Sequence, residues 1–514
     1  MKKDAKRMND SCVPRDRQPG VDLERRRLVT ATGQALAVGA TLPFSTRLLA
    51  VGALPSSREI DAFRGEIQGT VVLRDAPNYE PWRRSMAWNY RKFGRYPDMI
   101  VQAEGEDDVV ATIAFAKRHH LPIKVRSGGH SWSGCYMRDS GILLDISHLR
   151  SVEIDTETRT AVIGPGVLGR DLNERLRQVG LAFPTAHCGM VPLSGFLMGG
   201  GLGLNGNKWG GMSVFNIKAV DLITADGEKL HANEEQNAEL FWAVRGGGPG
   251  LFCVVTRFYL QCHPLPAAIT TDTLIFPYSE LIGTVAMMEE IGPAVDPALE
   301  MLTVVVPASP ELAKKCGAEE CRHVVVLSAM AFADTADEAD SILAPIRRHP
   351  QSGNAIEKFL GHASSLEILY QENEGPFPQR RARADNIYTN EPVEAAKVVR
   401  QHMPAAPSAG NTPVFLYKGE LEFPEAAYSS TGKCYLAGYA QWDHAADDPA
   451  NQAWLRDLFD DLQPLASGYY INEFDRETRS DITHRCFAPE NWKRLQELRG
   501  KFDPEGVFHD FLRV

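Results

Sequence analysis

Three glycine-rich stretches, one histidine, one cysteine and one Tyr–Glu pair hold most of the chemistry this sequence offers. The segment Arg126-Ser127-Gly128-Gly129-His130-Ser131-Trp132 follows the short strand Ile123-Lys124-Val125, so a strand runs straight into a glycine pair. Two residues without Cβ atoms let backbone N–H groups turn toward an anion and approach it closely. Alone, such a pair is more often an ordinary turn. The feature returns at Gly199-Gly200-Gly201-Leu202-Gly203 and at Arg245-Gly246-Gly247-Gly248-Pro249-Gly250. Three backbone-permissive sites in one half of a chain suit the wrapping of a large, flat diphosphate cofactor. No Walker lysine pattern is present, and the Gly199 cluster lacks the strand–turn–helix setting of a dinucleotide fingerprint, which sets aside P-loop and NAD readings.

The elements around these loops follow from periodicity. Ile100–Gln102 reads as a strand, and Glu106–His120 as a helix with Val109, Val110, Ile113 and Ala116 at helical spacing. Its first turn is acidic and its last basic, which complements the helix dipole. Strands follow at 141–146, 152–155 and 160–163, then a helix at 168–179 that Gly180 closes. Further strands are expected at 217–224, 228–230 and 254–260. After Pro264 and Pro266 the glycine clusters give way to longer helices and strands, the latter at 301–306, 324–329 and 434–442. One helix is expected at 279–291, with Ser279 as N-cap, and another at 334–344, stopped by Pro345. Mixed strands and helices at short spacing give an α+β layer pattern.

The chain has 514 residues, 44% hydrophobic and 24% charged, with a net charge of −11. These values exclude a disordered chain and a multi-span membrane protein, and leave no broad footprint for nucleic acid. Residues 1–54 run the other way, with ten Lys or Arg against five Asp or Glu. Arg25-Arg26-Arg27-Leu28-Val29 resembles a twin-arginine signal. The run from Leu28 to Leu42 is too short and polar to make a stable membrane span, and Val51-Gly52-Ala53 offers small residues for cleavage. A leader over 1–53, recognised by the twin-arginine export machinery, and a periplasmic or secreted protein are therefore expected. Cys316 and Cys321 could pair in that oxidising compartment.

The motifs together resemble the flavoprotein superfamily of vanillyl-alcohol oxidase and p-cresol methylhydroxylase (PCMH-type), in its berberine-bridge-enzyme-like branch. The likeness is carried by Arg126–His130, Gly199–Gly203, Ala225-Asp226-Gly227, Leu240–Gly248, Val255–Phe258, Tyr470-Ile471-Asn472 and Lys501–Phe508, in order along the chain. It implies a split FAD-binding domain at 75–265 and 468–514, with an antiparallel-sheet substrate domain inserted at 266–467. It also implies FAD bound covalently by His130, the histidine after the glycine pair. Cys188, in a segment resembling that of gluco-oligosaccharide oxidases, would supply a second bond. Cofactor contacts would further come from Arg126, Ser127, Gly128, Gly129, Ser131, Ser194, Gly195, Gly199, Gly200, Gly203, Val255 and Asn472. Two departures reshape them: Pro249–Cys253 where relatives have Asn-Phe-Gly, and Phe215 where an Asp often precedes Asn216.

Oxidation needs a base to take a hydroxyl proton as hydride leaves the carbon. The resemblance points to Tyr470 or to Glu473, which would face opposite sides of a strand. Tyr470 would need a nearby cation, Lys418 for instance, because a free Tyr is a poor base. Tyr417 and Glu420 are weaker candidates, and Cys135 rivals Cys188 as an anchor. The implied activity is oxidation of an alcohol or hemiacetal carbon of a carbohydrate-like or small secondary-metabolite substrate, with O2 as acceptor. Alternatives are a dehydrogenase feeding a periplasmic electron acceptor, C–H or amine oxidation, or a degenerate flavin binder.

Overall fold

The structure is a computed structural model that describes residues 54–316, 322–374 and 380–510. The expected leader lies outside these residues, as does Cys321 and with it the suggested Cys316–Cys321 pairing. Among the described residues, no helix is long and apolar enough to cross a membrane.

The first layer is a four-stranded sheet ordered Thr70–Leu73, Met99–Gln102, Ile142–Asp145, Ile123–Arg126, with the last three parallel to one another. Helix Glu106–His119 buries Val109, Ile113 and Ala116 against it, as the periodicity requires. It ends where His120 turns left-handed at φ 53°. The C-terminus returns to this layer: Ile123 N–H donates to Val507 O at 2.7 Å, and His509 N–H to Ile123 O at 2.9 Å. One domain is thus closed by segments far apart in sequence. A second, antiparallel sheet of five strands is ordered Val152–Asp155, Thr160–Ile163, Cys253–Gln261, Ile217–Thr224, Lys229–Ala232.

Between Ala268 and Gly468 the chain builds an eight-stranded antiparallel sheet. Its order is Glu357–Ser364, Ala268–Pro277, His323–Ala333, Leu299–Pro307, Thr412–Tyr417, Cys434–Trp442, Arg381–Thr389, Ala466–Gly468. Strand parity gives the sheet two faces. Gly438 packs toward helix Asp448–Leu462, where a Cβ would lie 2.6 Å from Phe459. Tyr435 and Tyr439, of the opposite parity, face the cavity described below.

Two helix expectations are corrected here. Helix Leu281–Ile291 is entered through a short 3-10 turn, Tyr278–Glu280, so Ser279 lies inside that turn and caps nothing. Pro345 does not stop its helix, which runs Ala336–Arg348 with Thr335 as N-cap. The buried stripe Ala339, Ile342, Leu343, Ile346 continues past the proline, and Arg347 pairs with buried Asp272 at 2.6 Å. These contacts outweigh one lost backbone hydrogen bond.

Candidate active site

A cavity of about 530 Å³ opens between the first layer and the eight-stranded sheet. Its walls come from the loop after Ile123–Arg126, the segment around Cys188, the strand Cys253–Gln261, the C-terminal Phe508-His509 and the inner face of the large sheet.

The glycine-pair loop is fixed by packing. A Cβ on Gly128 would lie 1.8 Å from Pro192 Cγ, and Gly129 is left-handed at φ 71° with Met86 O where its Cβ would be. Arg126 braces the turn by pairing with buried Asp145 at 2.8 Å and donating to Met86 O and Gly128 O. His130 then stacks on Trp88, with ring centroids 4.4 Å apart. Burial lowers its pKa from 6.5 to about 4, so the imidazole is neutral near pH 7. Cys188 Sγ lies 3.9 Å from His130 Nε2 and 3.7 Å from Glu374 Oε1. Burial pushes this thiol up to about 11. Glu374 is itself paired with Arg170.

Tyr470 and Glu473 both line the cavity, which corrects the expectation that they face opposite ways. The segment is a turn, closed by Glu473 N–H donating to Tyr470 O at 3.1 Å, and strand alternation does not apply. Asn386 clamps it from the large sheet through both backbone groups of Tyr470, at 2.7 and 3.0 Å. The Tyr470 hydroxyl oxygen accepts from Gly201 N–H, Leu202 N–H and Asn472 Nδ2. Burial first, then the Glu473 charge, raises the phenol, which therefore stays protonated. Glu473 accepts from the hydroxyls of Tyr435 and Tyr439, each at 2.6 Å. Burial raises its carboxyl, and hydrogen bonds from Tyr435, Tyr439 and Trp132 offset part of that rise.

The other candidates sit elsewhere. Tyr417 points away from the cavity, against Gly292, while its strand neighbours Val414 and Leu416 point in. Lys418 is buried but donates to Gly211 O, and neither it nor Glu420 lines the cavity, so Lys418 is not the cation beside Tyr470. Gly199, Gly200 and Gly203 also stand off the wall. A side chain there would strike Asn472, Tyr428 or Pro184, so these glycines admit close packing behind the cavity. Arg126–Ser131, Cys188, Ser194, Gly195, Val255 and Asn472 do line it, as does Cys135. Sequence reasoning missed Trp88, Tyr435, Tyr439, His187 and Glu374. The i, i+4 spacing of two tyrosines on one strand face was the readable signal for two of them.

The donor set fits FAD. The glycine pair exposes backbone, Arg476 brings positive charge to the wall, and aromatic side chains flank His130. At the C-terminal wall, His509 Nε2 is buried with no hydrogen-bond partner among the described residues, an acceptor or donor left for a ligand. Fold and site together define an FAD-dependent oxidoreductase.

Comparison with known proteins makes the class specific. Residues 97–233 match the FAD binding domain family. The (R)-6-hydroxynicotine oxidase of Paenarthrobacter nicotinovorans is 34% identical over 468 residues, spanning 86% of this chain and 95% of that one. The FAD-linked oxidoreductase ptmO of Penicillium ochrochloron is 28% identical over 84% of this chain and 94% of its own. Among solved structures, 6-hydroxy-D-nicotine oxidase from Arthrobacter nicotinovorans shares the fold with a TM-score of 0.74 at 24% identity, over 86% of this chain and 97% of that one. Physcomitrella patens BBE-like 1 gives 0.75 at 19% identity, over 88% and 98%. The chain belongs to the family of FAD-linked oxidoreductases that includes (R)-6-hydroxynicotine oxidase, and it shares its fold with the berberine-bridge-enzyme-like structure.

Proposed function

We propose that this protein is a covalently flavinylated oxidase that acts on the alcohol carbon of a small, largely apolar substrate of the secondary-metabolite kind. The observation that carries the reading is the half-buried Glu473 carboxyl, held by Tyr435 and Tyr439 on a cavity that also has the aliphatic wall Leu302, Val304, Val414 and Leu416. That wall offers a sugar few hydrogen bonds and suits apolar carbon. FAD, when bound, supplies a two-electron hydride acceptor. Glu473 takes the hydroxyl proton, and its raised pKa makes it a stronger base than an exposed carboxylate. Tyr435 and Tyr439 orient it. Tyr470, protonated and clamped by Asn386, holds the turn that carries Glu473. His130 and Cys188 are the covalent anchors, a reading supported by their closeness on one wall.

The test is anaerobic bleaching of the yellow protein by a panel of apolar alcohols, sugars and amines, followed by peroxide release under air. Bleaching by apolar alcohols with peroxide supports the reading. Reduction without peroxide supports a dehydrogenase that uses a periplasmic acceptor, and no reduction by any compound points to a flavin binder. Amine oxidation is the second reading, favoured by the 34% identity to a hydroxynicotine oxidase.

Export by the twin-arginine route also belongs to the proposal, since that route carries folded, cofactor-loaded proteins. Changing Arg25, Arg26 and Arg27 to Lys should strand the protein in the cytoplasm. Unchanged periplasmic yield would count against it.

A further inference from the structure

One polar side chain on the cavity wall, with the carboxylate behind it, has no part in the roles given above. His187, next to Cys188 in the chain, lines the cavity. Its Nε2 lies 2.6 Å from Glu300 Oε1. Glu300 is on the inserted sheet in strand Leu299–Pro307, on the same face as Leu302 and Val304, which also line the cavity. Its second oxygen accepts the backbone N–H of Asn205 at 3.0 Å, and its side chain is 9% exposed. A carboxylate only accepts, so in the neutral imidazole of His187 the hydrogen is on Nε2 and the lone pair on Nδ1. Among the described residues Nδ1 makes no hydrogen bond. Leu302, Val304, Val414 and Leu416 give the cavity an aliphatic face on the inserted sheet. The inserted sheet thus holds two polar groups on the same cavity: Glu473, held by Tyr435 and Tyr439, and an imidazole oriented from behind by Glu300.

We propose that His187 is a specificity-determining residue whose Nδ1 accepts a hydrogen bond from a second O–H or N–H group of the substrate, with Glu300 positioning it. This rests on the reading of the cavity as the substrate site and narrows the substrate class. The molecule oxidised carries a donor, a phenol, an enol or a ring N–H, apart from the carbon that loses hydride. A ligand that covers this half-buried acceptor without offering it a donor strips it of water and leaves it unpaired, so discrimination is stronger than the net value of one hydrogen bond suggests.

Phenol and anisole are suitable probes, because they differ in the donor while sharing the ring. Each is titrated into the FAD-loaded protein at pH 8, with binding followed by perturbation of the flavin absorbance. Phenol should bind roughly tenfold more tightly than anisole. In His187→Phe the ratio should fall to about one. In Glu300→Gln the amide keeps its carbonyl on Asn205 N–H and turns its NH2 toward His187, forcing the hydrogen onto Nδ1. The preference should collapse there too, in a protein that still binds both probes, and Glu300→Asp should restore part of it. A merely structural Glu300 would not separate Gln from Asp in this way. Equal binding of phenol and anisole by the parent, or no binding of phenol, overturns the proposal. So does a preference that survives in His187→Phe, which would put donor recognition at Glu473. These outcomes are read without turnover, so they stay distinct from a failure of every alcohol to bleach the flavin.

Discussion

Cys188 Sγ and His130 Nε2 lie 3.9 Å apart although 58 residues separate them in the chain. The approach is made by two loops that interlock. Gly128, two residues before His130, lies flat against Pro192, four residues after Cys188, with no room for a Cβ. Both side chains are half-buried and held in their uncharged forms, His130 lowered to about 4 and Cys188 raised to about 11.

Two anchors on one flavin should therefore be separable by mass. Under denaturing conditions His130→Ala and Cys188→Ala should each retain flavin, and the double variant should lose it. Intact-mass measurement reads this directly. Total loss in His130→Ala with retention in Cys188→Ala would leave Cys188 as a packing thiol. Retention in the double variant would point to Cys135.

Replacing Glu473 with Gln should slow anaerobic flavin reduction by about 10²–10⁴-fold, the usual contribution of a general base. Tyr470→Phe should cost less, because its phenol acts through the turn. Parent rates in Glu473→Gln would move the base to another residue.

The pH profile of that reduction carries a sign. Burial raises the Glu473 carboxyl, so the working carboxylate forms only above the raised value and activity falls as pH drops through it. The hydrogen bonds from Tyr435 and Tyr439 lower it again. Removing both hydroxyls by Tyr→Phe should therefore shift the acid limb to higher pH, and a shift to lower pH would contradict the role given to them.

Gly199→Ala should destabilise the fold by about 1–3 kcal/mol, the usual cost of overpacking. Its Cβ would lie 2.1 Å from Asn472 Oδ1, so Asn472 must leave Phe196 O and the Tyr470 hydroxyl. Gly195→Ala, where nothing lies within 4 Å, is the control and should change stability little. Urea midpoints of the two variants make the comparison.

Stability should also fall on mild acidification. Burial depresses His263 and His509 from 6.5 to about 4. Above pH 6.5 both states are neutral and the contribution is complete. Between about 6.5 and 4 only the unfolded chain takes up the protons, so stability drops by at most about 1.4 kcal/mol per pH unit for each histidine, and by less for the partly exposed His263. His263→Phe, which keeps a ring against Trp209, should flatten the slope measured by denaturant unfolding at stepped pH.

The sequence alone determined whatever depends on local period and on backbone freedom. Helix Glu106–His119, the strand running into Gly128-Gly129 and the order of the flavin motifs were all legible, because apolar spacing and missing Cβ atoms act over a few residues. The strand Arg381–Thr389 was not. Its run Arg-Ala-Arg-Ala-Asp-Asn reads as surface, yet it is buried, because Arg381, Arg383 and Asp385 find Asp448, Asp475 and Arg479 in distant segments. The site divides in the same way. Its residue types could be read in order, but which of them share a cavity could not. Only tertiary packing turned Tyr417 outward, brought Glu473 under Tyr435 and Tyr439, and set Glu300 behind His187, since strand register and the meeting of remote loops lie beyond any local window.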